Sequence, residues 1–279
     1  MINIIEAFDT TYIYQNSDIP KKAVDEVTLS IKNGEYIALL GKNGSGKSTL
    51  ARLFNSLLLP SGGDVIVLGK NSKDDENVWY IRKKVGMIFQ NPDNQIIGTT
   101  VIEDVAFGPE NLGIKQEEIE NRAIKALNDI GILDLKERAP HMLSGGQKQK
   151  VGVASVLAMH PSCIIMDEST SMLDPRGREE LLRTVKQLNV KEKITIINIT
   201  HHMEEACLAD RVIIIDEGKI VTDGKPVKVF NDVEKIEEMG LDVPQVTRLL
   251  YKLKEKGYIK RIDAITVDEA FERIIEIIE

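Results

Sequence analysis

No segment limits the fold of this chain more than Gly41-Lys42-Asn43-Gly44-Ser45-Gly46-Lys47-Ser48, a turn with the spacing G-x-x-x-x-G-K-S. Just before it, Tyr36-Ile37-Ala38-Leu39-Leu40 reads as a short buried strand. After it, Leu50, Leu53, Phe54, Leu57 and Leu58 recur at the spacing of one helix face. Strand, tight loop and helix in that order distinguish a P-loop from a chance glycine-rich turn that precedes a lysine. Glycines let backbone N–H groups converge on phosphate oxygens, and the positive end of the helix dipole points the same way. Gly41, Asn43, Gly44, Ser45 and Gly46 would form the cradle, with Thr49 in the first helical turn. Lys47 would reach the β- and γ-phosphates, and the Ser48 hydroxyl would ligate Mg²⁺. The segment implies a site for a nucleoside triphosphate.

The rest of the sequence bounds the setting of that site. With 279 residues the chain can build one large α/β domain and a small appendage. A net charge of −8 disfavours wholesale binding to a phosphate backbone, which needs a dense Lys/Arg face, and direct attraction to anionic lipid. No apolar stretch approaches the ~18 residues needed to cross a bilayer. The opening Met1-Ile2-Asn3-Ile4-Ile5-Glu6 carries no basic region of a signal peptide. Cys163 and Cys207 are too few for a disulfide framework and fit thiols in a reducing compartment.

Residues 1–35 read as short strands and turns, with Thr28-Leu29-Ser30-Ile31 alternating polar and apolar. Asp64-Val65-Ile66-Val67-Leu68 and Val85-Gly86-Met87-Ile88-Phe89-Gln90 read as strands, the second with a polar residue at its exit. Residues 116–129 are helical in pattern. Three near-continuous apolar runs, at 163–167, 194–199 and 212–215, suggest strands buried on both faces of a mainly parallel sheet. Function should then sit at the strands' carboxyl ends. Beyond Asn231 the texture turns Glu/Lys-rich and helical. Val246, Leu249, Leu250 and Leu253 form one stripe, and Val267, Ala270, Phe271, Ile274, Ile275 and Ile278 another. Thr266 and Glu269 make a capping box for the last helix.

Four elements follow the P-loop in fixed order: Gln90 at a strand exit, Leu143-Ser144-Gly145-Gly146-Gln147 opening a helix, Asp167-Glu168 ending an apolar strand, and His201 ending another. Taken alone, two acids after a strand could be a helix N-cap pair, and a lone histidine is usually structural. Together and in this order, the elements resemble the ABC-type ATPase domain over roughly residues 1–230. The resemblance implies an α/β P-loop fold with a mainly parallel core sheet, an antiparallel β subdomain and a helical signature subdomain. The ATPase domain is expected over 1–232 and a C-terminal helical appendage, expected to help two ATPases dimerise, over 233–279. It implies that Asp167 holds Mg²⁺, that Glu168 orients and deprotonates the attacking water, and that His201 contacts the γ-phosphate. His202 is the neighbouring rival to His201. Gln90 would bridge metal, water and whatever docks outside. Tyr14 would stack on adenine, with Tyr12 as its rival and an edge-strand tyrosine as the plain alternative. Ser144, Gly145, Gly146 and Gln147 would grip a partner chain's ATP, with Asp174 across the seam, so that two chains sandwich two nucleotides head to tail.

A finer likeness lies in Phe89-Gln90-Asn91-Pro92-Asp93-Asn94-Gln95, in residues 104–113 and in Gly145-Gly146-Gln147-Lys148-Gln149-Lys150-Val151. These look like the ATPase component of energy-coupling factor transporters, the cobalt/vitamin importer group. Residues 167–175 with Gly177-Arg178 resemble the first of that group's two ATPase subtypes, and Gly240-Leu241-Asp242-Val243-Pro244 also fits. The likeness implies a second, homologous ATPase (a heterodimer, with a homodimer as the alternative), a transmembrane coupling protein and a substrate-binding membrane protein. It implies no nucleic-acid partner, and a peripheral place on the cytoplasmic face of the membrane. The coupling protein would dock near Gln90–Gln95. Ser169 departs from the family, where most members carry proline; this loosens the backbone after Glu168 and leaves the carboxylate in place.

Overall fold

A computed structural model describes residues 2–15 and 20–278, with side chains through 275. Met1 and the side chain of Ile278 therefore lie outside the described residues. Two sheets organise the chain as far as Gly224. The first is antiparallel, in the order β2 (Lys21–Lys32), β1 (Asn3–Tyr14), β4 (Gly62–Val67) and β5 (Lys70–Asn71). The second has six strands in the order β10 (Lys219–Gly224), β9 (Arg211–Asp216), β3 (Tyr36–Leu40), β8 (Thr195–Ile199), β7 (Cys163–Asp167) and β6 (Val85–Ile88). Only β10 runs antiparallel to its neighbour in this sheet.

The near-continuous apolar runs are explained by what each side chain meets. Along β3, Ile37 and Leu39 enter one core, while Tyr36, Ala38 and Leu40 enter another. β7 alternates likewise, with Cys163 and Ile165 on one side and Ile164 and Met166 on the other. The first core is shared with the antiparallel sheet and α1 (Lys47–Phe54). The second is shared with α3 (Val101–Asn111), α4 (Gln116–Asp129), α5 (Gly145–Ala158) and α6 (Pro175–Glu192). A strand buried on both faces has no solvent side to alternate with. Each fully buried Ile or Leu contributes about 1.5–3 kcal/mol relative to exposure.

Because β3, β6, β7 and β8 are parallel, their carboxyl ends share one edge of the sheet. The P-loop, Gln90, Glu168 and His201 all follow those ends.

Two expectations need correction. The first 35 residues hold two twelve-residue strands rather than short ones. Register shifts along their pairing, and left-handed Asp9 (φ 45°) and Glu26 (φ 52°), interrupt the alternation a reader relies on. The helix after the P-loop stops at Phe54, because the chain turns through a left-handed Ser56 (φ 57°); this leaves Leu57 exposed.

At the C-terminal end, α8 (Pro226–Phe230) and α9 (Val233–Glu238) lead into α10 (Gln245–Glu255) and α11 (Val267–Ile278). Val233, Ile236, Val243 and Ile265 join the large helical-side core. Leu250, Ile262, Ala264 and Ala270 form a small one of their own. Of the two predicted stripes, Leu249, Val267, Phe271 and Ile275 are exposed. The capping box of α11 is present: the Glu269 N–H donates to Thr266 Oγ1 at 3.4 Å and the Thr266 N–H to Glu269 Oε2 at 3.2 Å.

Candidate active site

β3 delivers the chain into the loop, and α1 receives it at Lys47. Gly46 caps α1 with φ 112°, and a Cβ there would lie 2.2 Å from the Ala23 carbonyl oxygen. Only glycine fits that combination. The Lys47 ammonium donates to the carbonyls of Gly41 (2.8 Å) and Lys42 (2.9 Å) and is 6% exposed. Burial lowers the Lys47 pKa, opposed by the nearby Glu168 and Asp167 carboxylates. Ser48 Oγ donates to Asp167 Oδ1 at 2.8 Å, which joins the start of α1 to the end of β7. Burial pushes the Asp167 carboxyl up, partly offset by that hydrogen bond. Ser45 is buried, and Asn43 and Gly44 are exposed on the lip.

Glu168 follows β7 in the left-handed region (φ 49°), with its N–H on the Ile199 carbonyl at 3.0 Å. Its Oε2 accepts from Gln90 Nε2 at 3.0 Å and lies 3.7 Å from His201 Nδ1. His202 instead opens α7 (Met203–Ala206), where burial and the Arg178 charge lower its pKa. Of the two histidines, then, His201 is the one beside Glu168. Ser169 is buried, and its hydroxyl has no hydrogen-bond partner among the described residues.

Tyr14 closes β1 with its hydroxyl 3.2 Å from Thr49 Oγ1, and it meets Tyr12 edge to face at 4.9 Å. Tyr12 packs against the first core, whereas Tyr14 lines a cavity of about 400 Å³. Gly44, Lys47, Ser48, Thr49, Gln90 and Glu168 line the same cavity. So does Lys21, which the sequence reading missed. Its signal is the antiparallel pairing of Tyr14 with Lys21, which brings a cation to the mouth.

The hard oxygen donors gathered here are a hydroxyl (Ser48), a carboxylate (Asp167) and an amide oxygen (Gln90). Such a set suits Mg²⁺, which takes few protein ligands and completes its shell with phosphate oxygens and water. A carboxylate pressed out of water against a serine hydroxyl is a group that a cation would stabilise.

A second cavity, of about 600 Å³, is lined by Ser144, Gly145, Gly146, Gln147, Leu173, Asp174 and Arg176 among others, and shares no residue with the first. Ser144 caps α5 in a reciprocal box: the Gln147 N–H donates to Ser144 Oγ at 3.2 Å, and the Ser144 N–H to Gln147 Oε1 at 3.0 Å. The serine hydroxyl proton stays free to donate elsewhere. Asp174 caps α6 by accepting from the Gly177 N–H at 2.8 Å. One chain thus carries a P-loop in one cavity and a second glycine-led helix start in another.

The chain matches the family model described as ABC transporter over residues 24–171. It is 52% identical over 268 residues to the energy-coupling factor transporter ATP-binding protein EcfA1 of Clostridium novyi (strain NT), with 96% of each chain covered. The EcfA1 protein of Clostridioides difficile (strain 630) is 48% identical, with 96% of this chain and 97% of the relative covered. Among solved structures, cbiO1 from Clostridium perfringens, described as part of the ABC transporter complex cbiONQ, superposes with a TM-score of 0.77 at 35% identity. That match covers 90% of this chain and 100% of the other. The dimeric ATP-binding cassette MJ0796, in a post-hydrolysis state bound to ADP and Pi, gives a TM-score of 0.74 at 30% identity, covering 80% and 98%.

Proposed function

The chain belongs to the ABC transporter family, among its energy-coupling factor ATP-binding proteins, and from that premise we propose that it binds and hydrolyses ATP to drive a membrane importer of vitamins or metal ions. The observation that carries this reading is the meeting of three loops over the phosphate cradle. Gln90 and His201 flank one carboxylate oxygen of Glu168, and Ser48 and Asp167 are joined beneath.

In the proposed reaction Glu168 takes a proton from water as the water oxygen bonds to the γ-phosphorus. The bridging P–O bond breaks, and its electron pair leaves with ADP. Gln90 holds the carboxylate through its amide and keeps its own oxygen free for metal or water. Lys47 leaves the Gly41 and Lys42 carbonyls for the phosphates. The fixed donors of the glycine loop meet charge as it develops, which is where preorganised dipoles act most strongly. Mg²⁺, held by Ser48 and Asp167, would supply charge neutralisation on the phosphate oxygens. Tyr14 would pack on the base.

Ser144, Gly145, Gly146 and Gln147 would act on the nucleotide held by a partner chain, with Asp174 at the seam. ATP then joins two ATPases, and loss of the γ-phosphate weakens the closed state through differential affinity. The proposed assembly adds a transmembrane coupling protein near Gln90–Gln95 and a substrate-binding membrane protein, at the cytoplasmic face. No described helix is long and apolar enough to cross a membrane, so attachment would run through those partners. Affinity purification from native membranes, with the partners identified by mass spectrometry, tests this. A second, different ATPase with an integral membrane protein is expected. Recovery of the chain alone, or of nucleic-acid-processing partners, would overturn the reading.

A further inference from the structure

Beneath the site lies a buried carboxylate that hydrolysis as described does not use. Glu205, on α7, is 2% exposed, yet both its oxygens are engaged. Oε1 accepts from Thr170 Oγ1 at 2.7 Å, and Oε2 accepts from Asn198 Nδ2 at 3.0 Å. Arg178 Nε stands 3.8 Å from Oε1. The phenol of Tyr36, wholly buried, is pushed up in pKa by burial and by the Glu205 charge.

The partners come from the segments that carry the catalytic groups. Thr170 lies two residues after Glu168 and four before Asp174. Asn198 lies on β8, three residues before His201, and Glu205 four residues after it. Arg178 belongs to the first turns of α6, and its N–H bonds the Asp174 carbonyl at 2.9 Å. One side chain therefore ties the loop after β7 to the loop after β8. Charge-assisted bonds of this kind are short and stiff, and stranding a partner in the interior is costly. The two loops also meet through the backbone bond from the Glu168 N–H to the Ile199 carbonyl and the 3.7 Å approach of His201 Nδ1 to Glu168 Oε2.

We propose that Glu205 is a positioning residue for hydrolysis: through Thr170 and Asn198 it sets the Glu168 loop against the His201 loop, so that base and histidine move as one unit. This rests on the hydrolysis reading above, in which Glu168 is the general base. A plain structural carboxylate that merely holds α7 would make the same bonds, and the difference lies in what their loss does. A reacting group displaced by about 1 Å can cost on the order of 10²-fold in rate. Thr170, Asn198 and Glu205 do not line the cavity around Lys47, so nucleotide affinity should be spared.

The test uses the full-length chain in its ATP-hydrolysing assembly, as wild type and as Thr170→Val, Thr170→Ser, Glu205→Gln and Thr170→Val/Glu205→Gln, with Glu168→Gln as control. Turnover, KM for ATP, nucleotide Kd and Tm are measured for each. Thr170→Val should lower kcat by roughly 10–100-fold with KM and Kd within about twofold. Thr170→Ser keeps the hydroxyl and should restore kcat. The double variant should be no slower than Glu205→Gln alone, since both break one connection. Thr170→Val with wild-type kcat would overturn the proposal. So would Thr170→Val and Thr170→Ser failing alike, additive losses in the double variant, or kcat and affinity falling together in step with Tm. An active Glu168→Gln protein refutes the general-base reading itself, whereas an inactive one beside a fully active Thr170→Val refutes the positioning role alone.

Discussion

Replacing Gly46 by alanine should damage this protein more than the same change at Gly44, two residues away, and the structure says by how much. Both glycines have positive φ, 112° and 79°. An alanine at either pays backbone strain of about 1–3 kcal/mol. At Gly44 the added Cβ meets only Lys21 Nζ, at 3.9 Å, an ordinary van der Waals contact with the end of a flexible side chain. At Gly46 it falls 2.2 Å from the Ala23 carbonyl oxygen, and backbone must yield by about 1 Å to restore normal contact. The carbonyl cannot retreat freely. It belongs to β2, whose Asp25 N–H is bonded to Gly218, which in turn donates to Ser45 of the loop itself. Forcing such a contact adds about 1–3 kcal/mol, for roughly 2–6 kcal/mol in all at Gly46 against 1–3 at Gly44. At about 2–4 °C of Tm per kcal/mol for a domain of this size, the two variants should separate clearly in thermal melts of the nucleotide-free chain. ATP affinity of Gly46→Ala should fall by at least about tenfold, because the displaced backbone carries the N–H groups of the cradle. A Gly46→Ala protein that melts at or above the Gly44→Ala Tm would refute the reasoning.

Glu168→Gln keeps the acceptor for Gln90 but cannot take a proton. Turnover should drop by about 10²–10⁴ with ATP binding and Tm near wild type; near-normal turnover removes Glu168 from the base role. Asp167→Asn should raise the Tm of the nucleotide-free chain, by an amount near the ~1 kcal/mol typical of relieving a strained site, while weakening Mg²⁺-dependent ATP hydrolysis. The sign follows from the raised folded-state pKa of Asp167: its ionised form opposes folding. The gain of the asparagine variant is therefore full above that pKa and shrinks as pH falls through it toward the ordinary carboxylate value. A gain that grows with acidity would contradict the assignment. Gln147→Glu preserves the capping box of α5 and complements the helix dipole by about 0.3–1 kcal/mol, yet sets a negative charge in the second cavity. The isolated chain should melt at the same or a higher temperature while the assembly hydrolyses more slowly; equal turnover would separate that cavity from catalysis.

The P-loop, the four buried strands and the start of α5 were readable because each has a local cause: glycine spacing, apolar runs, a glycine-led helix start. What stayed hidden is set by pairing across the fold. Nothing in the run around Lys21 marks it as a lining residue until β2 pairs with β1 beside Tyr14. The end of α1 escaped because Leu57 and Leu58 continue the helical spacing, whereas a left-handed Ser56 has no sequence signal as strong as glycine. Glu204 and Glu205 look alike as neighbouring acids on a short segment. Only the seating of Met203 and Ala206 in the core decides which of the two is buried against Thr170 and Asn198.

The charge pattern explains how a chain of net charge −8 can still handle a polyanion. Its attraction for phosphate is local and made mostly of backbone. The first turns of α2 (Asp75–Lys84), α3 and α4 each carry two acidic residues, which complement the positive end of the dipole in place. The first turns of α1 and α5 carry none, as is also true of α6, α8 and α10, and their N–H ends stay electropositive. The α1 end opens into the cavity with Lys47, and the α5 end into the cavity with Asp174. Within one chain the two cavities share no lining residue. In the proposed pairing each α5 end instead receives a phosphate held by the other chain, so that closure depends on that phosphate. Loss of the γ-phosphate then removes the shared contact, and with it the affinity difference that favours the closed pair.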